Sequence, residues 1–357
     1  MLPWIKENIH PLFRINGRPI KTEDIMVVAY NYVKEGDSWE VEIGNFLLDW
    51  LDNNESITMY TSGSTGNPKP HQISKKAMRE SAGRTVDYFD LNHYSRILCC
   101  LPLRYIAGKM MIVRALYCGA DVHIIQSVKN PLEKLEERFD FAAFTPMMAE
   151  ASVKDLHRVK KVLIGGAPIN QKLSVVLKTI DARIFESYGM TETASHVAIK
   201  QHFTDAEAYF EALDGIHFTK SKDETLVIHG LIDYPDGLKT NDLVRLLSNT
   251  QFEWLGRIDE VVNSGGIKLN IQELQKKLAA FVEEEFFLTK EPDDQLGERL
   301  VMVLKSNETP DTTKFLKVLE PYEKPKVVYA TDSFVQTFSG KIDKKKSLEL
   351  SKKQLSV

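Results

Sequence analysis

Between residues 121 and 185 the chain alternates short, largely apolar runs with helix-like stretches, and that alternation narrows the possible folds more than any other feature. Residues 121–125, 141–144, 161–164 and 183–185 read as strands. Asn130-Pro131, followed by Leu132, Leu135 and Phe139, reads as a capped helix with proline in its first turn. Asn170 reads as the cap of a second helix running to Lys178. Strands alternating with helices imply a parallel or mixed sheet with covered faces. Ligands in such sheets lie beyond the C-terminal strand ends. Gly165-Gly166-Ala167-Pro168 and Ser187-Tyr188-Gly189 both sit there.

The flanking segments extend the same reading. Residues 25–29 (Ile-Met-Val-Val-Ala) read as a buried strand, 41–51 and 74–88 as amphipathic helices, and 96–103 as a strand. Further on, 225–229, 300–304 and 326–330 read as strands, and Ile271, Leu274 and Leu278 mark a helix. The predicted class is α/β and α+β: a large first domain of layered sheets and helices, then a smaller α+β domain. With 357 residues, 43% of them hydrophobic and 27% charged, the chain is long enough for two domains. A net charge of −4 argues against a general nucleic-acid binder. Cys99, Cys100 and Cys118 show no metal-ligand spacing, and buried thiols are expected. Residues 1–7 lack the layout of a signal peptide. Arg114 and Asp121 break the longest apolar stretch, so no membrane span is expected. A cytoplasmic protein is the expectation.

The most chemically loaded run is Tyr60-Thr61-Ser62-Gly63-Ser64-Thr65-Gly66-Asn67-Pro68-Lys69. Its glycines let backbone N–H groups approach an oxyanion, its hydroxyls add short donors, and Lys69 adds a point charge. A polar surface turn is the competing reading. A P-loop is excluded, because Lys69 lies between two prolines with no Ser or Thr after it. Read as a phosphate cradle, the run resembles the phosphate loop of the adenylate-forming superfamily: acyl-CoA synthetases, aryl-CoA ligases and peptide-synthetase adenylation domains.

That resemblance implies further motifs in fixed order, and they are present. Gly165-Gly166-Ala167 precedes Tyr188-Gly189-Met190-Thr191-Glu192-Thr193, where the resemblance has Tyr188 stack on adenine, Thr191 bind the α-phosphate and Glu192 help hold Mg²⁺. A carboxylate suits a hard cation. Thr240-Asn241-Asp242 stands for the usual Thr-Gly-Asp, with Asp242 on the ribose hydroxyls and Asn241 where positive φ is tolerated. Arg257 would reach the ribose and Asp259 would be the hinge between domains 1–258 and 259–357. Gly265 and Gly266 would form a hairpin that faces CoA. Lys341, in Ser339-Gly340-Lys341-Ile342-Asp343, would be the lysine that enters for adenylation. The region preceding Tyr60 is shorter than the superfamily's usual lead-in, implying an abbreviated first subdomain.

By the same resemblance, Leu101-Pro102-Leu103-Arg104-Tyr105 lines the acyl pocket, with Arg104 and Tyr105 in place of an aromatic and a histidine. An arginine there could pair with a substrate carboxylate. The run Thr193-Ala194-Ser195-His196-Val197-Ala198 is similar to the o-succinylbenzoate–CoA ligases of menaquinone biosynthesis, whose dicarboxylate could meet Arg104 or His196. The implied activity is ATP-dependent, AMP-forming ligation of a carboxylic acid to CoA, with Mg²⁺ and without a membrane or nucleic-acid partner. Rival readings are a ligase with another acid or a carrier-protein acceptor, and a non-enzymatic nucleotide-binding relative.

Overall fold

The structure is a computed structural model, and it describes residues 9–61, 69–203, 209–306, 316–336 and 342–354. By packing the chain divides into two units. One comprises Met1–Thr219, Val227–Leu238 and Leu246–Glu253; the other comprises Lys220–Leu226, Lys239–Arg245 and Trp254–Val357.

The first unit opens with a small ribbon, β1 (Arg14–Ile15) and β2 (Arg18–Pro19), followed by helices α1 (Ile25–Glu35) and α2 (Ser38–Leu51). Residues 25–29 were expected as a strand and form the first turns of α1 instead. The reason is periodicity. Ile25 and Ala29, four apart, are buried, while Met26, Val27 and Tyr30 face outward, which is a helical stripe and not an alternation. Next comes an antiparallel hairpin, β3 (Ser56–Thr61) and β4 (Lys69–Ser74), whose last pair is Thr61 opposite Lys69. Residues 62–68, the centre of the expected phosphate loop, lie outside the described residues. Helix α3 (Lys75–Tyr88) starts at Ser74, whose side chain accepts from the Ala77 N–H as an N-cap.

The alternating middle builds the sheet. Its strands are β5 (Arg96–Cys99), β6 (Asp121–Ile124), β7 (Phe139–Phe144), β8 (Val159–Ile164) and β9 (Arg183–Gly189), all paired in parallel in the order β6-β5-β7-β8-β9. Helices α4 (Ile106–Cys118), α5 (Pro146–Ala151) and α6 (Gln171–Leu177) connect them, and Thr145 and Asn170 cap the last two with their side chains. The helix expected after Asn130-Pro131 does not form. Asn130 accepts from the Leu132 N–H and from Ser152 Oγ, closing a turn that leads into β7. A polar side chain satisfied this way competes with helix formation. Two antiparallel strands, β10 (His196–Gln201) and β11 (Phe210–Ala212), extend the sheet from β9. A meander of β12 (His217–Lys220), β13 (Thr225–His229), β14 (Leu238–Leu246) and β15 (Gln251–Arg257) follows, its residues divided between the two units.

Aromatic rings fill the space between α3 and the sheet. Phe89 lies 4.8 Å from Phe141 and 5.0 Å edge-on from Phe185, all three rings nearly inaccessible. Losing one such ring costs about 3–5 kcal/mol, so this cluster fixes the height of β9 and of the loop beyond it. The three thiols are sealed in the same unit. Burial pushes Cys99 up to about 12, and raises Cys100 and Cys118.

The second unit carries a sheet of β16 (Val261–Ser264), β17 (Ile267–Asn270), β18 (Phe286–Asp293), β19 (Gly297–Lys305) and β20 (Val327–Thr331). Alternation along β19 divides its residues between two cores. Leu300, Met302 and Leu304 pack with Leu274 and Leu278 of α7 (Ile271–Ala279), whereas Val301 and Val303 pack with Leu348 of α8 (Lys344–Gln354). A period of two on a strand gives this result. Among the described residues no helix is long and apolar enough to cross a membrane.

Candidate active site

The C-terminal ends of β8 and β9 lie side by side, with Ile164 opposite Glu186. The residues after β8 need to be small. A Cβ on Gly165 would stand 2.3 Å from Ser187 Oγ, and Gly166 has φ of +84°. Gly165 is thus placed beside Ser187, at the start of the Gly165-Gly166-Ala167 turn that leaves the C-terminal end of β8. Tyr188 is 9% exposed and packs edge-on against Phe252 at 5.0 Å. Its neighbour Gly189 has no room for a side chain, since a Cβ would lie 2.4 Å from the Ser195 carbonyl oxygen.

Between them the chain makes a tight reversal. Thr191, Glu192 and Thr193 form one 3-10 turn, and Ala194 follows with φ of +60°. For a non-glycine residue this conformation costs on the order of 1–3 kcal/mol and collects at functional sites. Thr193 Oγ1 accepts from the Met190 N–H at 2.9 Å and donates to the Ser195 carbonyl at 2.5 Å, which holds the reversal closed. Glu192 is half-buried in a cleft with Arg84, Thr193, Leu231 and Asp233, and it forms no ion pair with a described residue. An uncommitted carboxylate of this kind fits Mg²⁺, which takes one or two carboxylates and completes its shell with phosphate oxygens and water.

Just before this turn, Glu186 is 7% exposed and pairs with Lys200 Nζ at 2.6 Å and His202 Nε2 at 3.1 Å. Burial would raise its carboxyl, but His202 and Lys200 outweigh burial and hold it below the usual range. A carboxylate with a depressed folded pKa adds stability above its unfolded pKa, and that stability is lost as pH falls through the folded value. Glu186→Gln should therefore destabilise the protein by about 1–3 kcal/mol at neutral pH, with the difference shrinking below about pH 4.5. Urea unfolding at several pH values checks this. A constant difference from pH 7 to pH 3 would refute it.

The residues expected to line an acyl pocket have different partners. Arg104 is exposed and is held by Glu42 of α2, which accepts from its backbone N–H at 3.1 Å and lies 3.8 Å from its Nη1. Its guanidinium also covers the Tyr105 ring at 5.1 Å. Ser195 and His196 instead meet Arg114 of α4. Arg114 is 2% exposed, and its Nη2 donates to Ser195 Oγ at 2.6 Å. Among the described residues its Nη1 reaches only the Met111 sulfur, and its buried Nε has no hydrogen-bond partner. No described carboxylate pairs with it. Burial pushes the guanidinium down to about 9, so it remains a cation at neutral pH. Arg114 was noticed in the sequence only as an interruption of an apolar stretch. A single arginine among Met110, Met111, Ile112, Val113, Ala115 and Leu116 was the signal, because a helix buried all round rarely spends a position on a charge.

In the second unit, Asp242 is 6% exposed and accepts from Trp254 Nε1 at 3.0 Å, with its own N–H bonded to Thr240 Oγ1. Arg257 and Asp259 form a two-pronged pair at 2.9 and 3.1 Å. Gly265 (φ +59°) and Gly266 (φ +86°) make the two-residue turn between β16 and β17, the geometry that two positive φ values allow. Lys341 lies outside the described residues, between Gln336 and Ile342, which form an isolated bridge.

A parallel sheet whose strands end in small-residue turns, with an acidic turn beside them, is an α/β architecture in which ligands bind beyond the C-terminal strand ends. The comparisons with known proteins give the family. The model of the AMP-binding enzyme family matches residues 31–213, and the chain belongs to that family of adenylate-forming acid–CoA ligases. A 2-succinylbenzoate–CoA ligase from Listeria monocytogenes is 25% identical over 364 residues, covering 90% of this chain and 75% of that one. Among solved structures, an AMP-forming acyl-CoA synthetase/AMP-acid ligase II-like protein from Dyadobacter fermentans is 32% identical, covering 91% of this chain and 97% of its own, with a TM-score of 0.61. The fold is also that of the o-succinylbenzoate–CoA synthetase of Bacillus subtilis solved with ATP and magnesium, at a TM-score of 0.70, 19% identity, 82% of this chain and 69% of that one.

Proposed function

We propose that the protein joins an aromatic dicarboxylic acid to CoA through an acyl-adenylate, and that the acid is o-succinylbenzoate, as in menaquinone biosynthesis. The observation that carries this reading is Arg114, a buried cation with no carboxylate partner among the described residues, whose Nη2 donates to Ser195, two residues past the Thr191–Glu192–Thr193 turn. Burying a charge without a partner costs several kcal/mol, so such a group is kept for a ligand that supplies the missing charge. An acid whose only carboxylate is consumed by adenylation has none left to offer. A dicarboxylate has one to activate and one to bind. The relatives named as 2-succinylbenzoate–CoA ligases support the same acid.

In the first half-reaction a carboxylate oxygen attacks the α-phosphorus of ATP and the bond to pyrophosphate breaks. Residues 61–69 would cradle the leaving phosphates, Thr191 would hold an α-phosphate oxygen, and Lys341 would neutralise charge as it develops. Mg²⁺, held by Glu192 and phosphate oxygens, would supply further charge stabilisation. Tyr188 would flank the adenine, and Asp242 and Arg257 the ribose. In the second half-reaction CoA thiolate attacks the acyl carbon and AMP leaves. Residues 259–357 would act as the small domain that turns about Asp259, exchanging Lys341 for the Gly265–Gly266 hairpin.

Pyrophosphate release from MgATP tests the reading, with o-succinylbenzoate, benzoate and a medium-chain fatty acid, each with and without CoA. Turnover with the dicarboxylate and a CoA thioester product supports it. Preference for a monocarboxylate discards the acid and keeps the two-step mechanism. ATP binding without turnover on any acid favours a nucleotide-binding relative without chemistry.

A further inference from the structure

His196 lies in the same buried cluster, and the hydrogen bonds around it run in one direction. Thr85 Oγ1 donates its proton to the Ser81 carbonyl at 3.0 Å. With that proton used, its oxygen is left to accept from His196 Nε2, 3.2 Å away, an arrangement that assigns the imidazole proton to Nε2. That leaves Nδ1 as an acceptor. Ser195 Oγ stands 3.2 Å from Nδ1 and receives Arg114 Nη2 at 2.6 Å. Its single proton has one place to go, which is Nδ1. The donors thus follow one another from Arg114 to Ser195, His196, Thr85 and the Ser81 carbonyl.

We propose that His196 is a positioning residue: its Nε2–H tautomer takes the Ser195 hydroxyl proton on Nδ1, which fixes the Ser195 hydroxyl with its oxygen turned to Arg114 and so aims the remaining guanidinium donors at the acid's second carboxylate. This rests on the reading of Arg114 given above. His196 does not supply charge to the substrate. Burial first, and the neighbouring Arg114 charge second, hold the imidazole well below its ordinary range. Arg114 is the one charged group among the described residues that acts on it; α3 presents Thr85, the turn presents Ser195, and beyond Arg114 lies the Cys99 thiol. A protonated ring would put a donor on Nδ1, reverse the Ser195 hydroxyl and set two buried cations side by side. An imidazole that both accepts and donates is the link a fixed direction requires.

Two measurements test this. Long-range ¹H–¹⁵N spectra of histidine-labelled wild-type protein, with no substrate, should show His196 as the neutral Nε2–H tautomer from pH 6 to pH 8. An Nδ1–H tautomer, or titration within that range, overturns the proposal. Kinetics then read its consequence, with the acid the wild type uses best. His196→Leu should raise the acid's KM at least tenfold with the KM for ATP unchanged, and Ser195→Ala should do the same. The double variant should be no worse than either single one, because both break the same chain. Equal losses for acid and ATP, or additive losses in the double variant, overturn it. Failure of the dicarboxylate reading would show separately, as wild-type preference for a monocarboxylic acid.

Discussion

Arg114→Met is expected to lower kcat/KM for o-succinylbenzoate by about 10²–10³, equivalent to about 2.7–4 kcal/mol, the range seen when a buried charged partner is removed. The same variant should melt at the same temperature as the wild type or higher. Both halves follow from one fact: the guanidinium is 2% exposed and no described acid offsets it. Replacing a buried ion by an apolar side chain of similar length is often neutral or stabilising. A neighbouring methionine, Met111, already touches it. The loss should fall on the dicarboxylate and spare a monocarboxylic analogue, since only the former leaves a carboxylate to be paired. Steady-state kinetics with both acids, beside a melting curve, check this. A marked loss of stability with unchanged acid preference would show that Arg114 serves the fold and not the substrate.

The second large effect is expected at Lys341. Lys341→Ala should slow acyl-adenylate formation about 10²–10³-fold, as removal of a single well-placed charge stabiliser does. Thioester formation from supplied acyl-adenylate should stay within a few-fold of wild type, because the lysine is proposed to act in the first half-reaction alone. Measuring the two halves separately decides it. Parallel losses in both would mean that Lys341 is needed for something common to them.

Much of this was legible because it depends on local patterns. Ser74, Thr145 and Asn170 each cap the helix that follows, and the Gly265–Gly266 pair could do little other than turn a hairpin. The parallel sheet follows from alternation of elements. What could not be read depends on which groups end up as neighbours. The run Ile25-Met26-Val27-Val28-Ala29 has strand-like composition, and only the burial of Ile25 and Ala29 together reveals a helix. Asn130 has a cap's chemistry, but Ser152, 22 residues away, shares its carboxamide oxygen and settles the turn. Arg104 and Arg114 are equivalent as letters. Glu42, 62 residues from Arg104, holds one at the surface, while Ser195, 81 residues from Arg114, faces the other inside. Sequence spacing gave no access to either partner.

The sealed thiols have a practical use. Since Cys99, Cys100 and Cys118 are buried and biased toward the protonated form, a thiolate-seeking dye has no native target on the folded protein. One cysteine introduced at an exposed position such as Lys268, on the strand after the Gly265–Gly266 turn, would be the sole attachment point. Fluorophores can then report on the hairpin during each half-reaction without first stripping the chain of its own cysteines.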